Sequence, residues 1–228
     1  MLHYAREVAL RIVAVADTHL LHERLVVPDG DLFVHAGDLC RGGSLEDLAR
    51  TAAWIRALPH ATKLVVAGNH DWPFVRDPER ARDLLGADVI YLEDAGATIG
   101  TLSFWGSPWQ PTYAAWAFNL ERGPALAAKW SRIPEGVDVL VTHGPPRGFG
   151  DGGAVAGRGG CDDLLARVRV VRPKLHLFGH IHQGGGFWKD GAVALANVTT
   201  SDCTRAPTVL EISEEDGAVR AITVPPAA

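Results

Sequence analysis

The sequence predicts a layered α/β fold on three observations. Short apolar runs rich in Val, Ile and Leu recur along the chain and are typical of buried strands. Segments with helical patterns lie between these runs, and alternating strands and helices indicate α/β layers. Five of the runs are followed at once by residue types that bind metal ions. Because ligands of such folds gather at the carboxyl ends of the strands, we expect these residues to meet in one site.

The five junctions between a strand and the predicted site are spread along the chain. RIVAVA leads into Asp17-Thr18-His19, DLFVHA into Gly37-Asp38, TKLVVA into Gly68-Asn69-His70-Asp71, VDVLV into Thr142-His143-Gly144, and KLHLF into Gly179-His180-Ile181-His182. Five of the ten histidines therefore follow strands directly, a clustering that chance rarely produces. The glycines at these junctions allow the backbone to turn sharply.

Helix and turn signals complete the prediction of secondary structure. The clearest helix covers 44–58, where Ser44 is the predicted N-cap and Pro59 ends the helix. The segment RVRVVRPK near 167–174 is interpreted as a helix end that runs into a strand. From Thr208 onward, two alternating segments around a turn at 214–217 predict strands that complete a sheet. At 228 residues the chain fits a single domain, 1–228.

Composition indicates a globular protein and narrows its partners. Hydrophobic residues make up 47% of the chain and charged residues 21%. A net charge of −5 argues against long nucleic acid, because proteins that grip a phosphate backbone usually carry a basic surplus. Three widely spaced cysteines indicate neither a disulfide framework nor a Cys-based zinc site. Because charges interrupt its apolar stretch, we expect the N-terminal segment to be neither a signal peptide nor a membrane span. We expect a cytoplasmic location and no membrane partner, with a homodimer left open.

The donor types at the junctions suit first-row divalent metals, since carboxylate, imidazole and amide oxygen occur together. Asp17 and His19 are one residue apart and can bind one ion, while His180 and His182 have the same spacing and can face a pair of ions. Asp38 has two oxygens and is the natural bridge. Two ions about 3.5–4 Å apart lower the pKa of a bridging water to about 7 and clamp an in-line displacement at phosphorus. We expect two divalent ions, Mn²⁺ first, with Fe, Zn, Mg, Co or Ni as alternatives.

The ordered motifs D-x-H, GD, GNH(D/E), THG and GHxH resemble those of the calcineurin-like metallophosphoesterases. Longer stretches such as VPDGDLFVHAGD, FWGSPWQP and VRPKLHLFGHIH look like the metallophosphoesterase-domain (MPPED) branch, and the resemblance covers roughly residues 11–205. It implies a two-sheet β-sandwich flanked by helices, with a dinuclear metal centre at one edge. It also implies a phosphodiesterase that hydrolyses small phosphodiesters by attack of a metal-activated hydroxide.

Carried over residue by residue, the resemblance assigns ligands to both ions. The first would be held by Asp17, His19, Asp38 and His182, and the second by Asp38, Asn69, His143 and His180. His70 looks like the histidine that contacts the phosphate and protonates the leaving oxygen, with Asp71 orienting its ring. Some members of this branch have Gly at the position of His180 and are weakened enzymes, so the histidine here favours a competent catalyst.

Charge and motif details favour diesters over monoesters. Related protein phosphatases carry an Arg four residues after the GD aspartate, whereas here Arg41 comes one place early. Two divalent ions bring +4, while Asp17, Asp38 and a bridging hydroxide bring −3, so about +1 remains for a diester monoanion to neutralise. The resemblance also implies that the substrates are small nucleotide diesters, and among them 2′,3′-cyclic nucleotides are favoured. A phosphomonoesterase or general phosphatase is the alternative, and a non-catalytic metal- or nucleotide-binding module is a third interpretation.

Three residues are expected to contact substrate: Arg41, Trp109 and Arg158. Trp109 lies in 104–130, which holds four of the seven tryptophans, and either Trp109 or Phe118 would form a wall on which a base stacks. The other interpretation of 104–130 is a packed aromatic layer. Arg158 lies in the glycine-rich loop 148–161, which we expect near the mouth of the site, and closure of this loop over substrate is left open.

The five histidines outside the junctions receive structural interpretations. His3, His22 and His60 are expected to be exposed to solvent. His35 and His176 lie inside strand runs. For His35, a position in the wall of the pocket is the alternative interpretation.

Overall fold

A computed structural model of the chain describes residues 9–152, 159–213 and 215–226, and it has the predicted α/β architecture. Two sheets of six strands pack face to face, and helices cover the outer surface of each. The strands are β1 Ala9–Val15, β2 Leu32–Ala36, β3 Thr62–Val66, β4 Ile90–Tyr91, β5 Ala95–Ile99, β6 Leu102–Ser107, β7 Gln110–Pro111, β8 Asn119–Leu120, β9 Val139–Thr142, β10 Leu175–Phe178, β11 Gly186–Asp190, β12 Val193–Asn197, β13 Thr208–Ser213 and β14 Val219–Thr223. The α-helices are α1 Leu45–Ala57, α2 Pro73–Arg76, α3 Pro78–Leu85, α4 Pro124–Trp130 and α5 Asp162–Val171, and short 3₁₀ helices span His22–Arg24 and His182–Gly184.

Both sheets have a parallel centre and antiparallel strands outside it. The first has the order β14-β13-β1-β2-β3-β4, in which β1 to β4 are parallel and the β13 pairings are antiparallel. The second has the order β11-β12-β10-β9-β6-β5, in which β12, β10, β9 and β6 are parallel and both edge strands are antiparallel. Strands β7 and β8 form a separate parallel pair. This is the two-sheet sandwich that the family resemblance implies.

Alternation along the strands separates three hydrophobic layers. Ile12 of β1 belongs to the central layer between the sheets, together with Val139 of β9. Its neighbour Val13 points the other way and packs with Leu48 of α1. On the far side, Leu140 of β9 packs in the layer beneath α4 and α5. The order of layers is therefore helix, sheet, sheet, helix, which leaves the strand ends free to build a site.

The structure contains the helix cap, the helix end and the turn that local signals in the sequence predict. The Ser44 side chain accepts a hydrogen bond from the Asp47 N–H at 3.0 Å and caps α1, which ends before Pro59. The segment 167–174 runs from α5 toward β10. Strands β13 and β14 flank the predicted turn, in which Gly217 has a φ of +70°.

The two sheets join where β1 and β12 end. Ala16 forms a parallel bridge with Thr199. The Ala16 N–H donates to the Val198 carbonyl at 3.0 Å, and the Thr200 N–H donates to the Ala16 carbonyl at 2.9 Å. Strand ends from both sheets are thereby held side by side at one edge of the sandwich.

Candidate metal centre

All seven predicted metal ligands meet at this edge. Those that follow strands of the first sheet are Asp17, His19, Asp38 and Asn69, and those that follow strands of the second are His143, His180 and His182. Their donor atoms form three overlapping groups, Asp17–His19–His182, His19–Asp38–His70 and Asp38–His143–His180. Within each group the donor atoms lie within 4.8 Å of one another. The sequence prediction that five strand ends build one site therefore agrees with the geometry.

Backbone strain is concentrated at these ligands. Asp17, Asp38 and His180 have φ angles of 56°, 60° and 70°, in the left-handed region that residues with side chains rarely adopt. Hydrogen bonds hold this conformation, since the Asp17 N–H donates to the Gly37 carbonyl at 2.9 Å and the His180 N–H donates to the Asp17 carboxylate at 3.0 Å. Strained residues that cluster in this way are typical of functional sites.

Two junction glycines are required because the backbone segments approach closely. A Cβ on Gly37 would lie 2.3 Å from Nδ1 of His143, and the φ of Gly37 is +102°. A Cβ on Gly68 would lie 2.4 Å from Oδ1 of Asp38. Both distances are far shorter than van der Waals contact, so any larger residue would push the predicted metal ligands apart.

The first half of the centre contains Asp17, His19 and His182. The Nε2 atoms of His19 and His182 are 3.4 Å apart, and the His182 Nε2 lies 3.9 Å from Oδ1 of Asp17. The His19 Nε2 lies 3.6 Å from Oδ2 of Asp38. Ligands of a tetrahedral ion at about 2.1 Å would be separated by roughly 3.4 Å, so these spacings fit a single ion.

The second half contains Asn69, His143 and His180. Oδ1 of Asn69 lies 2.9 Å from Nε2 of His143 and 2.8 Å from Nδ1 of His180. The His143 Nε2 also lies 3.5 Å from Oδ1 of Asp38. Since Oδ2 of Asp38 faces His19 and Oδ1 faces His143, the carboxylate has one oxygen toward each half, as a bridging ligand requires.

Backbone carbonyls set the tautomers of two of the predicted ligand histidines. The Nδ1 atoms of His19 and His143 lie 3.1 Å and 2.9 Å from the carbonyls of Cys40 and Ala36. A carbonyl oxygen only accepts, so each Nδ1 carries a proton, and in the neutral imidazole Nε2 is the nitrogen with the lone pair. Metal-binding histidines are usually oriented in this way, and the donor set therefore fits a divalent ion.

Electrostatics couple Asp38 to the nearby histidines. Burial opposes ionisation of Asp38, yet His143, and then His19 and His70, hold its pKa well below the usual range. Burial opposes protonation of His143, but Asp38 raises its pKa to about 9. Burial is the largest cause that lowers the pKa of His180, to about 4. Asp38 and His143 thus interact strongly through their charges.

Asp71 does not have the predicted contact with the His70 ring. Its carboxylate accepts four backbone hydrogen bonds, from the N–H groups of Gly68 at 2.7 Å, Cys40 at 2.8 Å, Asp38 at 3.0 Å and Leu39 at 3.3 Å. Burial and then the charge of Asp38 raise its pKa to about 6 despite these bonds. Asp71 therefore fastens the loop after β3 to the loop after β2, and it positions ligands rather than the His70 ring.

His70 is oriented by other groups. Its Nδ1 lies 2.8 Å from the carbonyl of Arg41, so this nitrogen donates to that oxygen. The ring packs against Trp116, with centroids 4.0 Å apart, and contacts the edge of His19 at 4.6 Å. The His70 N–H donates to Oδ1 of Asp38 at 2.8 Å. The imidazole is thus fixed beside the centre with its Nε2 away from the carbonyl that binds Nδ1.

A cavity of about 430 Å³ opens above the predicted metal ligands. Besides the ligands and His70, its walls consist of Arg41, Tyr113, Ala114, Trp116 and Asp202. Sequence reasoning identified Arg41 but missed the other four. Tyr113 and Trp116 belong to the tryptophan-rich segment, so an aromatic signal existed, whereas Asp202 lies in no motif.

Trp109 lies elsewhere. Its indole N–H donates to Asp94 at 3.0 Å, and the Lys129 ammonium lies 3.9 Å from the ring centroid. The ring packs on the hydrophobic layers beneath the helices, together with Phe118. The interpretation of a packed aromatic layer therefore fits Trp109, and Trp116 takes the place predicted for it at the cavity. Arg158 lies outside the described residues.

Two histidines within strands support the centre from behind. His35 Nε2 lies 2.9 Å from the hydroxyl of Thr18, and His176 Nε2 lies 2.8 Å from that of Thr142. Burial lowers the pKa of both histidines to about 3. His35 thus lies beneath the ligand loop and not in the cavity wall.

His22 and His60 are buried, so their predicted exposure is wrong. The His22 ring packs against Trp54, with centroids 4.9 Å apart. The His60 ring packs against Phe33, with centroids 5.6 Å apart.

Comparison with known proteins assigns the class. Residues 10–184 match the family model for the calcineurin-like phosphoesterases. The chain is 40% identical over 220 residues to metallophosphoesterase domain-containing protein 1 of human and of mouse, an alignment that covers 85% of this chain and 66% of each relative. It is 37% identical over 205 residues to a UPF0046 protein of Caenorhabditis elegans, covering 82% of this chain and 69% of that protein. The chain thus spans just under two thirds of the human and mouse proteins.

The fold agrees with this assignment. The crystal structure of TT1561 of Thermus thermophilus superposes with a TM-score of 0.65, at 13% identity, over 94% of this chain and 98% of that one. The chain belongs to the calcineurin-like phosphoesterases, a family of metal-dependent phosphoester hydrolases. Among the described residues, no helix has the length and apolar character needed to cross a membrane.

Proposed function

We propose that this chain is a dinuclear metal-dependent phosphodiesterase that hydrolyses small phosphodiesters, with cyclic nucleotides, 2′,3′-cyclic ones first, as preferred substrates. The observation that carries the proposal is the position of Asp38, whose two oxygens face His19 on one side and His143 on the other. A carboxylate between two sets of histidine nitrogens is the arrangement that two adjacent divalent ions need. Mn²⁺ is the first candidate for both ions.

The ligands divide between the two halves as the family resemblance implies. Asp17, His19 and His182 would hold one ion, Asn69, His143 and His180 the other, and Asp38 both. When bound, the two ions would supply a nucleophile from water at neutral pH and polarise the phosphoryl group. The protein contributes fixed geometry, because the carbonyls of Cys40 and Ala36 hold His19 and His143 in the tautomers that bind metal.

His70 would donate the proton that the leaving oxygen needs. Its Nδ1 is engaged by the Arg41 carbonyl, so Nε2 is the atom left to act on substrate. Its ring is held between Trp116 and His19, which restricts its rotation. General acids placed in this way contribute about 10²–10⁴-fold to rate.

The cavity fits a small substrate with a flat group. Tyr113 and Trp116 offer aromatic faces at the wall, and bases stack on such faces with about 1–3 kcal/mol each. A volume of about 430 Å³ has the size of a pocket for one small molecule. These features support a nucleotide more than a protein or a duplex as substrate.

The test uses two chromogenic esters and three nucleotides. With added Mn²⁺, we expect bis-p-nitrophenyl phosphate to be hydrolysed with a higher kcat/KM than p-nitrophenyl phosphate, and a chelator to abolish both activities. We expect 2′,3′-cAMP to exceed 3′,5′-cAMP and 5′-AMP in kcat/KM. A clear preference for 5′-AMP would overturn the diester proposal, and a preference for 3′,5′-cAMP would overturn only the ring preference.

A phosphomonoesterase is the second candidate, and Arg41 is the observation that favours it. The Arg41 side chain is exposed and lines the cavity, where a guanidinium could offset the second charge of a monoester dianion. This alternative would be established if the wild-type protein preferred p-nitrophenyl phosphate over the bis ester and if Arg41→Ala lost that preference.

A further inference from the structure

We propose that Asp202 is a specificity-determining residue that favours monoanionic phosphodiesters over dianionic monoesters by charge. The inference rests on the function proposed above, since it concerns the same cavity. Asp202 is a wall residue of that cavity, and its Oδ1 lies 4.0 Å from Nε2 of the ligand His19. None of the metal-binding motifs contains it.

The position of Asp202 is fixed by the centre itself. Its backbone N–H donates to the carbonyl of the ligand Asp17 at 3.2 Å. Ser201, Asp202 and Cys203 have φ angles of 49°, 56° and 61°. The turn therefore has a left-handed backbone conformation that residues other than glycine rarely adopt. The Cys203 thiol lies 3.6 Å from the Thr18 carbonyl and ties the other side of the turn to the same loop. A loop strained at three successive residues presents this carboxylate to the cavity.

The exposure of Asp202 distinguishes it from the predicted ligands. Its side chain is 43% exposed, whereas Asp17 is fully buried and the side chain of Asp38 is 3% exposed. Within the described part of the chain, its ionic contact is with His19 and not with a Lys or Arg. The carboxylate is therefore free to act on the charge of an incoming substrate.

Asp202 adds a negative charge beyond those of Asp17 and Asp38, the carboxylates already counted at the centre. Repulsion of a substrate by one fixed charge scales with the charge of the substrate. A dianion is therefore penalised twice as much in free energy as a monoanion at the same position. For an exposed carboxylate at low ionic strength we expect a penalty of about threefold in affinity for a monoanion and about tenfold for a dianion.

The experiment compares Asp202→Asn with wild type and with Asp29→Asn. Asparagine keeps the shape of aspartate and tolerates left-handed φ angles, so the turn should be preserved. Asp29 is exposed in the loop before β2, at the opposite end of the strands, and its substitution removes the same charge from the molecule. Metal content measured by plasma emission, with Mn²⁺ loading, should equal wild type in both variants.

Binding is then measured by calorimetry on the Mn²⁺-loaded proteins, at about pH 8, with inorganic phosphate as the dianion and dimethyl phosphate as the monoanion. In Asp202→Asn we expect affinity to rise about tenfold for phosphate and about threefold for dimethyl phosphate, with no change in Asp29→Asn. The kcat/KM for p-nitrophenyl phosphate should rise by about threefold relative to that for the bis ester. Equal gains for both anions, or loss of metal from Asp202→Asn, would overturn the proposal. If wild type preferred monoesters, the proposed function would fail, but the ratio of the two binding gains would still decide the role of Asp202.

Discussion

The floor of the cavity consists of the predicted metal ligands, and its rim consists of Arg41, Tyr113, Ala114, Trp116 and Asp202. The two regions differ in burial and in backbone conformation. On the floor, Asp17 and His143 are fully buried, and several ligands have strained backbones fixed by hydrogen bonds. On the rim, Tyr113 is 59% exposed, and the side chain of Asp202 is 43% exposed. A buried floor can hold metal ions with little reorganisation, whereas an exposed rim can be changed without disturbing the core. We therefore expect the floor to carry the chemistry of the class and the rim to determine the choice of substrate.

The floor has the same support on both sheets. Thr18, between two ligands of the first sheet, meets His35 of β2, and Thr142, just before His143, meets His176 of β10. In each case the histidine is fully buried and neutral, because burial holds its pKa near 3. On the rim, Asp202 is held instead by one strained turn.

The largest effect is expected on the floor at Asp38. In Asp38→Asn the charge shared by both halves is lost, so we expect both ions to bind more weakly together and the rate to fall by more than about 10²-fold. Metal stoichiometry by plasma emission and turnover of bis-p-nitrophenyl phosphate measure the two effects. Two tightly bound ions and a full rate in this variant would refute the bridging assignment.

Most of the floor could be predicted from the sequence, and most of the rim could not. The ligands follow strands whose parallel order brings their carboxyl ends to one edge, so strand patterns alone locate Asp17, Asp38 and His143. The roles of individual groups needed coordinates. Asp71 follows a ligand motif, but only the fold reveals that its carboxylate accepts backbone N–H groups.

Most rim residues could not be predicted because the sequence does not show which side chains face the cavity. Trp116 lies in the connection between β7 and β8 and lines the cavity, whereas Trp109 lies just before β7 and packs on the core. No periodic pattern in the sequence distinguishes these two positions. Asp202 lies in a left-handed turn whose approach to Asp17 depends on the junction between the two sheets. Burial of His22 and His60 likewise arises from tertiary packing, because neither lies in a periodic apolar run.

The second largest effect is expected at His70, between floor and rim. His70→Ala should lower kcat by about 10²–10⁴-fold with metal content intact, because the role proposed for this residue is proton donation and not metal binding. The loss should be smaller for p-nitrophenyl esters, whose leaving group needs little protonation, than for cyclic nucleotides. Equal losses for both leaving groups, or loss of metal, would remove the general-acid role.

A smaller effect is expected for the support beneath the floor. His35→Phe removes the partner of Thr18, and metal affinity should fall by about 10–100-fold, as for other groups that orient metal ligands. His60→Phe is the matched control, because His60 is also buried and packs against Phe33 but lies apart from the ligand loops. Chelator competition measures metal affinity, and thermal unfolding measures stability. If both variants lose stability equally and neither loses metal affinity, His35 has no positioning role.

The smallest effect is expected on the rim at Trp116, and it separates the two tryptophans. Loss of one stacking face costs about 1 kcal/mol, so Trp116→Ala should raise the KM for 2′,3′-cAMP roughly fivefold. Ethylene phosphate, a cyclic diester without a base, is the matched substrate, and its KM should not change.

Trp109→Phe is the control variant. It removes the hydrogen bond to Asp94 and should lower the unfolding temperature while leaving both KM values unchanged. Because Trp116 also packs on His70, kcat for ethylene phosphate reports any disturbance of the acid. A rise in the KM of both substrates would mean that Trp116 shapes the cavity without stacking on a base, and a rise confined to Trp109→Phe would restore the base-binding wall to Trp109.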